Sequence, residues 1–347
     1  MFKSITVVII AASTASSFAA VNPYPMALRA SLSANAKSQS LNEWESSGFT
    51  PHDLFARFRA QGNAAEFCEA LVALPPRDLA LFEAELESPL NQRLLPCRDS
   101  LLGKLENHWN QFNTTTLLDV PTDPEAHRLP SLEKVVDPTT TRATVATGGL
   151  EKGEIAITLD DGPHPTRTRR ILEIFKSWGV RATFFELGFQ AHARPKVSRD
   201  VLAQGHSIGS HSWDHPNLPA LAEKDLPAAL AQIDRGRKAV EAAIGENFPF
   251  FRFPYGATNE ILSKYVTDQG LVSFLWNMDS MDWKLRDPAE LLKGLAAILD
   301  QGKPGIILFH DIHEQDVLVM EPFLQMLKDR AYSTVVFVPR KSPALLP

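Results

Sequence analysis

The chain has 347 residues, 22% of them charged and 44% apolar, with a formal net charge of −6. That length suits one large domain plus a smaller one, and the balance is that of a globular protein rather than a disordered one. A net negative charge offers no surface for nucleic acid and little attraction to anionic lipid.

The first segment has the layout of an export signal. Lys3 precedes an apolar run over 5–12 and a small-residue stretch over 13–20. Ser17-Phe18-Ala19 puts small side chains where a signal peptidase reads. The pattern predicts a signal peptide over 1–20, cut near Ala19 or Ala20, and a periplasmic or secreted mature protein. The stretch is too short and too rich in Ser and Thr for a permanent membrane span. No Cys follows the cleavage region to carry a lipid.

Residues 21–113 are expected to form a small helical module. Asp53-Leu54-Phe55-Ala56-Arg57-Phe58 and Leu101-Leu102-Gly103-Lys104-Leu105 repeat apolar residues at helical spacing. Pro75-Pro76-Arg77-Asp78 breaks the pattern before a further helix over 79–86. No chemistry is evident in this part. The two cysteines of the chain, Cys68 and Cys97, both lie here. In an exported chain they can form one disulfide; two buried thiols are the other reading. Residues 114–149 then turn rich in Thr and Pro, which reads as a linker or a wrapping arm.

From 150 to 340 short apolar runs alternate with helical stretches, before a tail over 341–347. The runs 155–159, 182–187, 207–210, 250–253, 272–276, 305–309 and 334–338 read as strands. Helical patterns fill 166–178, 194–204, 222–244, 259–269, 287–299 and 316–330. Seven strands separated by six helices imply βα units and a parallel sheet. An open sheet and a barrel both fit that string. The polar residues at the strand ends favour a distorted (β/α) barrel, because only a barrel gathers the ends of many strands around one pit.

Those polar residues are the candidate chemistry. Asp160 and Asp161 end the first strand in Thr158-Leu159-Asp160-Asp161-Gly162-Pro163. Adjacent carboxylates repel, and a bound cation would resolve the repulsion while leaving one as a base. Alone, the pair reads equally as solvated turn residues. His211 and His215, in His211-Ser212-Trp213-Asp214-His215-Pro216, can meet one ion if the segment takes a helical turn. With Asp161 they would make a three-ligand site with open positions, the catalytic type. His310 ends the strand over 305–309 and suits a general acid, or in isolation a capping or core histidine. Arg252 could pair with a catalytic carboxylate or be a buried structural partner. Asp279 and Asp282 would orient His310 or Arg252, or cap the following helix.

As a set these segments resemble the motifs of the polysaccharide deacetylases, carbohydrate esterase family four. That family includes chitin deacetylases, peptidoglycan N-acetylglucosamine deacetylases, acetylxylan esterases and chitooligosaccharide deacetylases. The first motif, usually Thr-Phe-Asp-Asp-Gly-Pro, has Leu159 in place of Phe. The others are similar to His211-Ser212-Trp213-Asp214-His215, Arg252-Phe253-Pro254-Tyr255-Gly256, the Asp-x-x-Asp-Trp ending in Trp283, and Leu308-Phe309-His310-Asp311. Arg181-Ala182-Thr183-Phe184-Phe185 resembles the family's second strand. The resemblance spans 149–339 and is silent on the N-terminal third.

The resemblance implies a distorted barrel and a divalent metal, zinc first, with cobalt, nickel or manganese as alternatives. It implies Asp160 as general base, Asp161, His211 and His215 as metal ligands, and His310 as general acid. Arg252 would tether Asp160, and Asp282 would orient His310. The Tyr255 N–H would hold the oxyanion, with Trp283 and Leu308 lining the acetyl pocket. The implied reaction removes N-acetyl groups from N-acetylglucosamine in a polysaccharide. The export signal and the lack of a recognisable chitin-binding module favour peptidoglycan. Chitin or chitooligosaccharide, an O-acetylated xylan, and glycan binding without catalysis are the alternatives.

Overall fold

The computed structural model describes residues 51–61, 64–111, 128–141, 144–147 and 149–340. The expected signal peptide, the start of the helical module, the first part of the Thr/Pro-rich segment (114–127) and the C-terminal tail lie outside these residues.

The N-terminal part is helical. It contains α1 (Pro51–Gln61), α2 (Ala64–Val72), α3 (Pro76–Leu79), a 3-10 turn (Ala80–Phe82), α4 (Glu83–Glu87) and α5 (Arg98–Trp109). The helix expected over 79–86 is thus two short helices joined by that turn. The helices close on a core of their own, with Phe55, Phe58, Phe67, Leu79, Phe82, Leu105 and Trp109 all buried. Phe58 and Phe67 stack with ring centroids 4.4 Å apart. Cys68 and Cys97 form a disulfide that ties α2 to the start of α5.

The remainder is an α/β fold. In chain order its elements are β1 (Ser131–Val136), β2 (Glu154–Asp160), α6 (Arg167–Trp178), β3 (Thr183–Glu186), α7 (Gly188–Ala193), α8 (Pro195–Ala203), β4 (Ser207–Ser210), α9 (Leu218–Lys224), α10 (Leu226–Ile244) and β5 (Phe250–Phe251). There follow α11 (Glu260–Asp268), β6 (Val272–Ser273), β7 (Met278–Asp279), α12 (Pro288–Leu299), β8 (Gly305–His310), α13 (Glu314–Asp329) and β9 (Ser333–Pro339).

All paired strands are parallel. One path runs β1-β9-β2-β3-β4-β5-β6, and β8 joins β2 to β7. The ring β7-β8-β2-β3-β4-β5-β6 is open in its hydrogen bonding between β6 and β7, where residues 274–277 intervene. Buried side chains pack on both sides of such a sheet, which is why the strands read as unbroken apolar runs. Trp178, Phe184, Phe250, Phe274, Phe309 and Phe323 belong to one contiguous core.

Several differences from the expected elements have local causes. The strand over 272–276 shortens to two residues, and the chain pairs again only at β7. The stretch 222–244 is two helices. Asp225 caps the second by accepting from the Ala228 N–H, and Pro227 sits at the helix start, where its missing N–H costs nothing. The helix expected over 194–204 is α8, which starts at Pro195 after Arg194 separates it from the short α7. The sheet also begins before residue 150, since β1 pairs with β9 along its length. No helix of the described residues is long and apolar enough to cross a membrane.

Arg167, on the first turn of α6, joins the helical part to the sheet. It is buried, and its Nη2 donates to Glu83 at 2.7 Å and its Nε to Glu314 at 3.1 Å, with Glu87 a further partner of Nη1. Trp109 Nε1 donates to Glu83 at 3.0 Å, and His164 Nε2 lies 2.9 Å from Glu87. Leu318 of α13 adds an apolar contact to the helical core. Removing one member of a buried charge pair strands the other, at a cost of about 3–5 kcal/mol. Arg167→Met is therefore expected to lower the thermal midpoint by several degrees, and adding Glu83→Gln should restore part of the loss. A midpoint equal to wild type would show that charge pairing does not hold this junction.

Candidate active site

Thr158, Asp160 and His310 come together because β2 and β8 are in register, with Asp160 opposite His310. Asp160 is buried at the end of β2. Arg252 follows β5 and is also fully buried, with Nη1 donating to Asp160 Oδ1 at 2.7 Å and to Thr158 Oγ1 at 2.9 Å. Its Nη2 donates to the Leu275 carbonyl at 3.2 Å, and its guanidinium lies 4.2 Å above the Phe185 ring. The ion pair thus spans from β2 to β5 through the interior, with cation–π support.

Asp161, His211 and His215 form a cluster whose ligand atoms all lie within 4.8 Å of one another. Asp161 Oδ1 is 3.7 Å from His211 Nε2 and 3.6 Å from His215 Nε2. Tetrahedral ligands with bonds of about 2.1 Å stand about 3.4 Å apart, so the donor set fits a divalent ion of that geometry. His211 Nδ1 lies 2.8 Å from the Arg252 carbonyl. That contact makes Nδ1 the protonated nitrogen and leaves the Nε2 lone pair facing the cluster.

The two histidines do not meet through a helical turn. The segment after β4 is a tight non-helical turn in which Ser212 (φ 70°) and His215 (φ 65°) are left-handed. Asp161 (φ 74°) and Tyr255 (φ 60°) are left-handed as well. Each such residue costs about 1–3 kcal/mol, and the surrounding structure must over-determine it. Here the strain turns Asp161 and His215 toward one another. A neighbouring constraint is Gly236, where a Cβ would lie 2.3 Å from the Ser212 backbone. Only a glycine on α10 lets the histidine turn seat there.

Asp282 is completely buried and accepts from three directions. His310 N–H reaches Oδ2 at 2.6 Å, while His310 Nδ1 and Trp283 N–H reach Oδ1 at 2.8 and 2.7 Å. Burial would push the His310 imidazole down, but the charge and hydrogen bond of Asp282, with Asp161 and Asp160 beyond, outweigh it and raise its pKa to about 10. The Asp316 carboxyl lies against Asp282, and burial with the Asp282 charge holds it well above the usual carboxylate range. Asp279 has a different place: its Oδ1 accepts from Met281 N–H and its Oδ2 from Trp276 Nε1. The cap of α12 is Asp287, not Asp282.

These groups share one cavity of about 410 Å³. Asp160, Asp161, His211, His215, Tyr255, Asp279, Trp283, Leu308 and His310 line it. Tyr255 sits on a 3-10 turn (Pro254–Gly256) with its hydroxyl 3.4 Å from the His215 carbonyl. Tyr255 and Trp283 are exposed, whereas Leu308 is buried. Cys68 and Cys97 are no part of this wall.

Sequence reasoning had missed Trp276, Arg286, Ile312 and His313 of the same wall, and Leu81, Ala84 and Glu85 of the helical part. Arg286 Nε and Nη1 and His313 Nδ1 are buried without a hydrogen-bond partner. Arg286 follows Trp283 by three residues, so a search around each motif could have raised it. No sequence signal pointed to 81–85.

Residues 147–274 match the family model described as polysaccharide deacetylase. A chitooligosaccharide deacetylase of Azorhizobium caulinodans is 38% identical over 162 residues, 46% of this chain and 74% of that protein. Peptidoglycan-N-acetylglucosamine deacetylase PgdA of Listeria monocytogenes is 32% identical over 251 residues, 67% of this chain. The chain spans about half the length of that relative, 52%. Among solved structures, a peptidoglycan deacetylase of Bdellovibrio bacteriovorus superposes with a TM-score of 0.73 at 30% identity. It covers 92% of this chain and 95% of its own, so the likeness extends into the helical part.

A histidine whose folded pKa exceeds its unfolded value of 6.5 stabilises the fold fully below that pH and loses the contribution as pH rises toward about 10. Asp282→Asn is expected to move the His310 midpoint down by more than one pH unit in chelator-treated protein, followed by NMR of the ring protons. An unchanged midpoint would mean that Asp282 does not hold the proton on His310.

Proposed function

The chain belongs to the polysaccharide deacetylase family, and from that membership and the cavity's geometry we propose that it is a metal-dependent hydrolase removing N-acetyl groups from N-acetylglucosamine residues of peptidoglycan. The observation that carries the reading is the convergence of the Asp161–His211–His215 cluster, Asp160 and His310 on one cavity. The peptidoglycan deacetylases among the relatives, covering 67% and 92% of this chain, support that polymer over chitooligosaccharide. The substrate lies outside the cytoplasm, in line with the signal peptide expected over 1–20.

Asp161, His211 and His215 would hold the ion, zinc on the character of the donors. Bound there, a divalent ion acidifies a water and polarises the acetyl carbonyl. Asp160 accepts the proton of the attacking water. Its Oδ1 is held by Arg252, which leaves Oδ2, 3.6 Å from His211 Nε2, facing the reacting atoms. The Tyr255 N–H would donate to the oxyanion; one such donor is typically worth about 3 kcal/mol. His310, cationic through Asp282, delivers a proton to the departing amine, which leaves poorly as an anion. Leu308 and Trp283 would receive the acetyl methyl. The products are acetate and a glucosamine unit.

Acetate release from peptidoglycan sacculi, N-acetylglucosamine oligomers and acetylated xylan tests this. Release is expected from the N-acetyl substrates with zinc or cobalt present. It should vanish with chelator and fall about a hundredfold or more in Asp160→Asn. Release from acetylated xylan alone would replace the amidase with an esterase. No release from any of them by folded, zinc-loaded protein would leave glycan binding as the function.

A further inference from the structure

The helical part has no role in the reaction above, yet it reaches the reacting groups. Leu81, on the 3-10 turn, and Ala84 and Glu85, on α4, line the same cavity as Asp160 and His310. All three are partly exposed. The Glu85 carboxyl is held in place, accepting from Asn91 Nδ2 at 2.8 Å and standing 3.8 Å from Arg59.

The junction with the sheet fixes which side of the cavity this wall occupies. Glu83 is ion-paired with Arg167, and Arg167 Nη1 also donates to the Ile312 carbonyl at 3.2 Å. Ile312 and His313 line the cavity, and the His313 ring is 5.7 Å from that of His310. The helical wall therefore stands on the His310 side. His310 is the proposed proton donor to the leaving amine, so the wall borders the region where the sugar bearing that amine would lie.

Resting on the deacetylase reading, we propose that the N-terminal helical module is a fixed part of the substrate cleft, with Leu81, Ala84 and Glu85 forming a subsite for a neutral pyranose of the glycan chain. A pyranose has an apolar ring face and a rim of hydroxyls. Leu81 and Ala84 offer an apolar ledge for the face, and the Glu85 carboxyl accepts from the hydroxyls. A carboxyl in that position disfavours a sugar bearing its own carboxylate. The buried Arg167 network keeps the wall at a set distance from His310, so the module selects the glycan rather than merely tethering the enzyme to it.

The test compares N-acetylglucosamine oligomers with a small acetyl ester that carries no sugar, using the full mature chain with zinc. Ala84→Trp fills the subsite, and Leu81→Ala with Glu85→Gln removes its contacts. For both variants kcat/KM on oligomers is expected to fall about tenfold further than on the ester, chiefly through KM. Thermal midpoints near wild type verify the fold. Equal losses on the two substrates, or no loss on either, would overturn the proposal. Oligomer binding to zinc-loaded Asp160→Asn protein, with and without Ala84→Trp, separates this from the catalytic reading. If wild type releases no acetate but Ala84→Trp still weakens oligomer binding about tenfold, the subsite stands and the deacetylase reading falls. If acetate is released and binding is unaltered, the reverse holds.

Discussion

Arg252 has no exposed surface, and a guanidinium is tolerated there because Nη1 donates to Asp160 and Thr158, Nη2 donates to the Leu275 carbonyl, and the Phe185 ring lies under the group, although Nε has no hydrogen-bond partner among the described residues. A buried cation without such partners would cost several kcal/mol. The pairing joins β2 to the residue after β5 through the interior and sets the orientation of Asp160. The Arg252 carbonyl, on the same residue, also takes the His211 Nδ1 proton and so aims His211 Nε2 at Asp161. Asp160, the candidate base, and the candidate metal ligands therefore share one anchor. A change at Arg252 is thus expected to disturb both.

A second constraint acts on the opposite wall. Asp282 receives both the backbone and the ring of His310, and it does so without exposure to water. In that setting its charge counts for far more than on the surface. Behind it burial and the Asp282 charge push Asp316 toward the neutral acid. The Asp282 carboxylate faces the ring of His310. The arrangement separates an acceptor, Asp160, from a donor, His310, across one cavity, which is the division of labour that acyl transfer to water requires.

The helical module gives this cavity a boundary that the α/β fold alone would leave open. Its own core of Phe55, Phe58, Phe67 and Trp109 and its disulfide make it a firm body. The charged junction through Arg167 then fixes that body against α6 and α13. Arg167 sits on the first turn after the Asp160–Asp161 turn, so the same stretch of chain that carries the carboxylates also positions the wall.

The strands and helices of the second half were legible because a parallel sheet buries both faces and writes itself as short apolar runs. The fold class follows from their alternation with helices. The motif residues were legible because charged and imidazole side chains at the ends of such runs are chemically conspicuous. Short-range geometry was harder: His211 and His215 meet through left-handed backbone rather than a helical turn, and spacing alone does not distinguish the two. β1 was hidden in a Thr/Pro-rich stretch because an edge strand needs little apolar pattern; Leu132 and Val135 stay exposed. What composition and motif order determined by themselves was the family resemblance, the sheet and the set of candidate site residues. The family resemblance had already pointed to Asp282 as the residue that holds His310; only the tertiary structure decided that Asp316 backs it and that Leu81, Ala84 and Glu85 face the site. Those facts depend on which separate segments are packed together, and packing between segments far apart in the chain leaves no local period in a sequence to read.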